Sequence, residues 1–298
     1  MKRVIELGST ISGSAVFKPD CLPAPNENTN QYCDCKIMET TVSFEKRNAM
    51  QQPVILITGA SRGIGAATAT LAAHNGYAVC INYNKNKTAA EALVRQIKDL
   101  GVRVMAVKAD VANETEVQQM FRNIDSTFGR LDALVNNAGI LEKQTTVQQI
   151  DAARLQRVFA TNVFGSFLCA REAVKRMSVQ NGGRGGAIVN VSSGASRLGS
   201  PGEYVDYAAS KGAIDTLTIG LAKEVAASGI RVNAVRPGFI YTDIHASGGE
   251  PGRVDRIKNS IPLQRGGNAI EVAKAILWLL SDESSYSTGA ILDVTGGK

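Results

Sequence analysis

Histidine occurs only twice and tryptophan once in these 298 residues, and aromatic residues amount to 5% of the chain. No apolar run approaches the ~20 residues that span a bilayer, so no membrane segment is expected. The formal charge is +6 and the pI about 9.1. There is no Lys/Arg block, however, and almost no aromatic residue lies among the scattered bases. This pattern describes a solvated surface and not a nucleic-acid partner. The five cysteines, Cys21, Cys33, Cys35, Cys80 and Cys169, include no C-x-x-C pair and have no nearby histidine, so no zinc or other metal site is expected. Cys80 and Cys169 stand singly in apolar segments as reduced, small hydrophobes, which fits a cytoplasmic location. Neither histidine has a catalytic context. His74 closes a helical segment, where a cation suits the dipole, and His245 lies in a Gly-rich stretch.

The first 49 residues lack any sustained period. They contain Pro19, Pro23, Pro25 and an Asn-rich run, with six bases matched by six acids. Met1 to Ile11 has no uninterrupted apolar core, so no secretory signal is expected, and the equal number of acids and bases argues against a mitochondrial presequence. Residues 1–49 are read as a disordered or loosely packed extension, with Met50 as the natural start. From Met50 to Lys298 short apolar runs alternate with amphipathic segments, the pattern of βαβ units. Strands are predicted at Val54–Thr58, Ala78–Asn82, Arg103–Val107, Ala133–Asn136, Ala187–Val191, Arg231–Val235 and Ile291–Val294. Helices are predicted at Ala66–Ala73, Thr88–Leu100, Glu114–Phe128 and Ala209–Ala227. The fold class is therefore α/β: a single doubly wound Rossmann domain whose parallel sheet of about seven strands has helices on both faces. Ligands of such sheets bind at the carboxyl ends of the strands.

The first predicted strand runs straight into Thr58-Gly59-Ala60-Ser61-Arg62-Gly63-Ile64-Gly65 and then a helix. Gly59 permits a tight turn, Gly63 lets backbone approach a pyrophosphate, and Gly65 lets helix pack on strand. The helix N-terminus supplies free N–H groups. Two further motifs follow, Asn136-Asn137-Ala138-Gly139 after the fourth strand and Tyr207-Ala208-Ala209-Ser210-Lys211 after the fifth. Together the three resemble the short-chain dehydrogenase/reductase family across nearly all of Pro53 to Lys298. The resemblance implies hydride transfer between a nicotinamide cofactor and a small carbonyl or secondary-alcohol substrate, in a homo-oligomer that is a tetramer or dimer.

Charge selects among nicotinamide cofactors. NAD sites place an acid about 20 residues past the glycines, against the ribose hydroxyls. Here the second strand ends Asn82-Tyr83-Asn84-Lys85, without one, and Arg62 can pair with a 2′-phosphate. NADP(H) is thus favoured over NAD(H). By resemblance, Ser61, Ile64 and Asn82 join the glycine turn, and Asp110 and Val111 lie near the adenine. Asn137, Ala138 and Gly139 line the cofactor, and Pro237, Gly238, Ile240 and Thr242 lie beside the carboxamide. A substrate lid is expected over about 240–262.

Reducing a carbonyl requires a proton donor beside its oxygen. The spacing Y-x-x-x-K occurs three times, as Tyr32/Lys36, Tyr83/Lys87 and Tyr207/Lys211. Only the last follows a strand ending in a hydroxyl pair, Ser192-Ser193, and opens a long helix. One helical turn would bring the Lys211 ammonium near the phenol. At ~4 Å and an effective dielectric near 20 that attraction is about 4 kcal/mol, roughly three pKa units before desolvation. Tyr207 is assigned as acid/base, and both Tyr207 and Lys211 are also expected to contact the cofactor. Ser193 is assigned to the substrate oxygen and Asn162, by resemblance, to a water leading to the lysine. Two alternatives are a 3-oxoacyl-[acyl-carrier-protein] reductase, docking its carrier on Arg171, Lys175 and Arg176, and a non-catalytic NADP(H) sensor.

Overall fold

Four apolar residues, Val54–Ile57, form strand β1, and their side chains alternate between two separate cores. Ile55 and Ile57 face one core; Val54 and Leu56 face the other. A strand covered on both sides has no polar face, which is why the run is uninterrupted. The computed structural model describes residues 52–298. The expectations for residues 1–49, including Met50 as the start, Tyr32 with Lys36, and three of the cysteines, fall outside the described residues. Cys80 and Cys169 are free and fully buried.

In chain order β1 is followed by α1 (Gly63–His74), β2 (Ala78–Tyr83), α2 (Lys87–Lys98), β3 (Val104–Lys108), α3 (Glu114–Phe128) and β4 (Ala133–Asn136). Next come α4 (Ala152–Phe159), α5 (Gly165–Met177), β5 (Gly186–Val191), the short α6 (Ala195–Leu198), α7 (Val205–Val225) and β6 (Ile230–Pro237). The chain ends with β7 (Ile240–Tyr241), α8 (Ile244–Ser247), α9 (Arg253–Ile257), β8 (Gly267–Asn268), α10 (Ala269–Leu280) and β9 (Ile291–Val294). Seven strands form one sheet in the order β3-β2-β1-β4-β5-β6-β9, with every neighbouring pair parallel. Helices α1, α2 and α10 cover one face; α3, α5 and α7 cover the other. The order reverses between β1 and β4, which opens a crevice at their carboxyl ends.

Local chemistry sets the helix ends. Asn86 and Asn113 accept backbone N–H bonds at the starts of α2 and α3, and Gly129 stops α3 in the left-handed conformation. Three features depart from the sequence reading. Helix α7 begins at Val205 and not at Ala209, so Tyr207 lies in its first turn. The buried Arg154–Asp206 ion pair secures that turn to α4. The Gly-rich stretch after Thr242 contains α8 and α9, and β7 pairs with β8 as a separate two-stranded ribbon. A turn of π-helix, Ala160–Phe164, joins α4 to α5 and contains Asn162. Such wide turns depend on contacts distant in sequence and leave no periodic signal. No helix among the described residues is long and apolar enough to cross a membrane.

Candidate active site

A cleft of about 800 Å³ opens at the switch point, lined by the glycine turn, the ends of β2, β4, β5 and β6, and the start of α7. Gly59 and Gly63 have φ of +60° and +58°. A Cβ on Gly59 would stand 2.9 Å from the Cα of Ala138, so only glycine lets the turn pass beneath that segment. Thr58 Oγ1 accepts from the N–H groups of Asn137 and Ala138, and Asn137 Nδ2 donates to the carbonyls of Thr58 and Gly59. Asn82 accepts from Gly59 N–H and donates to Ala109 O. Asn137 and Asn82 therefore use their side chains to shape the turn.

Of the residues singled out in the sequence, the cleft brings together Gly59, Ser61, Arg62, Gly63, Ile64, Asn82, Asp110 and Val111. Asn137, Ala138, Gly139, Ser193, Tyr207, Lys211, Pro237, Gly238, Ile240 and Thr242 line it as well. Gly65 and Asn162 stay behind the wall. A Cβ on Gly65 would be 2.6 Å from Asn137 Nδ2, so its task is close packing. Asn162 is fully buried; its amide accepts from Ile140 N–H and donates to Ile140 O and Ser210 Oγ, pinning the wall to α7. Asp110 accepts from Ala112 N–H in a local turn.

The hydroxyl pair separates as a strand end should. Both touch the cleft, but the Ser192 hydroxyl is buried and donates to Lys211 O, while the Ser193 hydroxyl accepts from Ala195 N–H. Lys211 Nζ donates to Val191 O at 2.8 Å and sits 5.6 Å from the centre of the Tyr207 ring. Burial lowers the Lys211 pKa to about 8, opposed by Asp215 one turn on. For Tyr207 the outcome differs from the sequence expectation. Burial raises the phenol above its ordinary value, offset in part by Ser193 and by the charge of Arg253. Desolvation dominates, and Lys211, itself buried and donating to a backbone carbonyl, is not among the groups that pull the phenol down.

Sequence reasoning missed Lys85, Tyr204 and Arg253, all in the lining, and found no catalytic context for His245, which lines the cleft too. Lys85 was legible only as part of a run without an acid. Arg253 is more than 40 residues from the phenol it influences and belongs to no motif. Among the described residues no group of His, Cys, Asp or Glu could hold a metal ion.

A parallel sheet in this order, with a glycine turn and a Ser–Tyr–Lys cluster at its switch point, defines a nucleotide-binding oxidoreductase. The family model for enoyl-(acyl carrier protein) reductase matches residues 59–298. The chain is 63% identical over 245 residues to uncharacterized oxidoreductase YgfF of Escherichia coli, covering 82% of this chain and 99% of that protein. It is 40% identical over 242 residues to the 3-oxoacyl-[acyl-carrier-protein] reductase FabG of Staphylococcus epidermidis, covering 81% and 97%. The crystal structure of 3-ketoacyl-(acyl-carrier-protein) reductase from Brucella melitensis complexed with NADH superposes with a TM-score of 0.76 at 32% identity, over 82% of this chain and 97% of that one. This chain belongs to the short-chain dehydrogenase/reductase family.

Proposed function

We propose that the protein is an NADP(H)-dependent reductase of a small carbonyl compound, reversible as a secondary-alcohol dehydrogenase, with Tyr207 as proton donor. The observation that carries this reading is the convergence of Ser193, Tyr207 and Lys211 in one cleft that is also lined by a turn suited to a pyrophosphate. That turn fits the cofactor on its own geometry. Helix α1 starts without a side-chain cap and has no acid in its first turn, so its N–H groups are free to meet phosphate. Bound there, the nicotinamide supplies the hydride. Ser193 steadies the carbonyl oxygen, Tyr207 gives it a proton, and Lys211 holds positive charge beneath the phenol. Asn162 acts as a positioning residue through Ile140 and Ser210.

The 2′-phosphate falls to Arg62 and Lys85, with no acid at the end of β2 to repel it. Arg62 is half-exposed and lies 3.9 Å from Asp243, a contact too open to compete strongly with a phosphate. Arg62→Ala is expected to weaken NADPH binding about 10- to 100-fold, the worth of a charge-assisted pair, and to leave NADH binding nearly unchanged. Titrations with the two cofactors check this; equal losses for both would contradict it.

The pH dependence follows from the two shifts. Reduction needs a protonated phenol and a charged Lys211. The raised phenol stays protonated through neutral pH, and the lysine is charged below about 8. The rate of reduction is therefore level at neutral pH and falls above about 8. Alcohol oxidation, which needs the phenolate, rises with pH. Rate profiles in both directions test the sign, and a reduction rate that climbs through the same range would oppose it.

The similarity to 3-oxoacyl-[acyl-carrier-protein] reductases favours a second reading, with a carrier-bound substrate. The three bases singled out for docking are each paired within the chain: Arg171 with Glu114, Lys175 with Glu172, and Arg176 with Asp125 and Glu172. That face carries no free excess of charge, so free carbonyl compounds are preferred here. Phe164 and Phe167, exposed on and beside α5, support association with further copies of the chain.

A further inference from the structure

Two buried side chains in the cleft each keep one polar atom without a partner, and neither belongs to the proton-transfer cluster. Arg253 is 7% exposed, and its guanidinium lies 4.6 Å from the centre of the Tyr204 ring and 5.5 Å from that of Phe239. One Nη2 N–H meets Glu203, whereas Nε is buried with no hydrogen-bond partner. His245, 9% exposed, places Nε2 3.0 Å from Ile240 O. A carbonyl only accepts, so Nε2 carries the proton and Nδ1 is left as an acceptor. Nδ1 is also buried and unpartnered. Both residues line the cleft that holds Tyr207.

An unpaired donor of a buried cation and an unpaired acceptor beside it are costly unless a ligand completes them. Arg253 offers a planar fork held against two aromatic rings, and a planar carboxylate matches that fork in charge and shape. Glu203 already takes one side of the guanidinium and is shared with Arg256, so the edge of Arg253 left over suits one planar carboxylate and not a dianion. We infer that the substrate carries a carboxylate, bound by Arg253 within the cleft, with a hydroxyl or similar donor presented to His245 Nδ1. This rests on reading the cleft as the carbonyl site and narrows its substrates to oxo acids and hydroxy acids. Neutral ketones and acyl thioesters would leave Arg253 unmatched. The influence of Arg253 on the phenol agrees with such proximity.

The test separates this inference from the reductase reading by measuring binding apart from turnover. The full chain, saturated with NADP⁺, is titrated calorimetrically with butanoate, butanamide and inorganic phosphate. Butanoate is expected to bind at least about 10-fold tighter than butanamide, and Arg253→Met to weaken it about 10- to 100-fold, with Arg253→Lys retaining part of the affinity. Equal binding of amide and carboxylate by the wild-type protein, which requires no variant to fold, overturns the inference. So does phosphate binding as tightly as butanoate. In parallel, kcat/KM is compared for 3-oxobutanoate and its methyl ester, and the acid is expected to win by a similar factor. If butanoate binds through Arg253 but neither carbonyl is reduced, the anion site stands and the reductase reading fails. If the ester is reduced as well as the acid, the reductase reading stands and the inference fails.

Discussion

Replacing Tyr207 by phenylalanine is expected to lower kcat for carbonyl reduction by about 10²- to 10⁴-fold, the range that a positioned proton donor contributes. NADPH affinity stays near that of the wild-type protein, because the phenol hydroxyl forms none of the contacts that shape the glycine turn. The ring remains to fill its place beside Lys211, so the loss falls on kcat and not on stability. The size of the loss follows from the local balance. A phenol held above its ordinary pKa is protonated when the carbonyl arrives, and Phe offers no proton at all. Steady-state kinetics together with a cofactor titration separate the two effects. Turnover retained within a few-fold would remove Tyr207 from the mechanism.

The second large effect lies one residue away. Asp206 is buried at the start of α7 and receives two bonds from Arg154, Nε to Oδ2 at 2.7 Å and Nη2 to Oδ1 at 3.2 Å. Arg154 also donates to Lys143 O, tying α4, the segment after β4 and the turn that carries Tyr207. Arg154→Ala strands a buried carboxylate, at a cost of about 3–5 kcal/mol. For a domain of this size that corresponds to a fall in melting temperature of roughly 6–20 °C. The double variant Arg154→Met, Asp206→Leu recovers much of the loss, since an apolar pair of similar volume needs no desolvation. Thermal unfolding of the two variants side by side checks this. A single variant that melts within about a degree of the wild type would show that the pair does not hold α7 in place.

The legibility of the fold in the sequence follows from its covered sheet. Runs such as Val54–Ile57 and Ala78–Ile81 are buried on both faces, so strand positions could be read to within a residue or two. The third helix, Glu114–Phe128, was read with the bounds it has, because Asn113 and Gly129 mark its ends. Three site motifs were legible because they are contiguous: the glycine turn, Asn137 to Gly139, and Tyr207 with Lys211. Other features depend on distance in the chain. The start of α7 rests on Arg154, more than 50 residues upstream, and the π-helical turn at Asn162 leaves no period. The tuning of Tyr207 was misjudged because an attraction can be estimated from spacing, whereas desolvation depends on what the fold packs around both groups. Arg253 and His245 were out of reach for the same reason.

The central proposal is that Tyr207 protonates a carbonyl oxygen while its carbon takes up hydride. The most direct measurement supplies NADPH deuterated at C4 of the nicotinamide to the wild-type protein with a panel of oxo acids and ketones, and locates the label in the product. Deuterium on the carbinol carbon of at least one product, absent when Tyr207→Phe replaces the wild type, is the predicted result. NADPH that binds but passes no label to any carbonyl in the panel would contradict it.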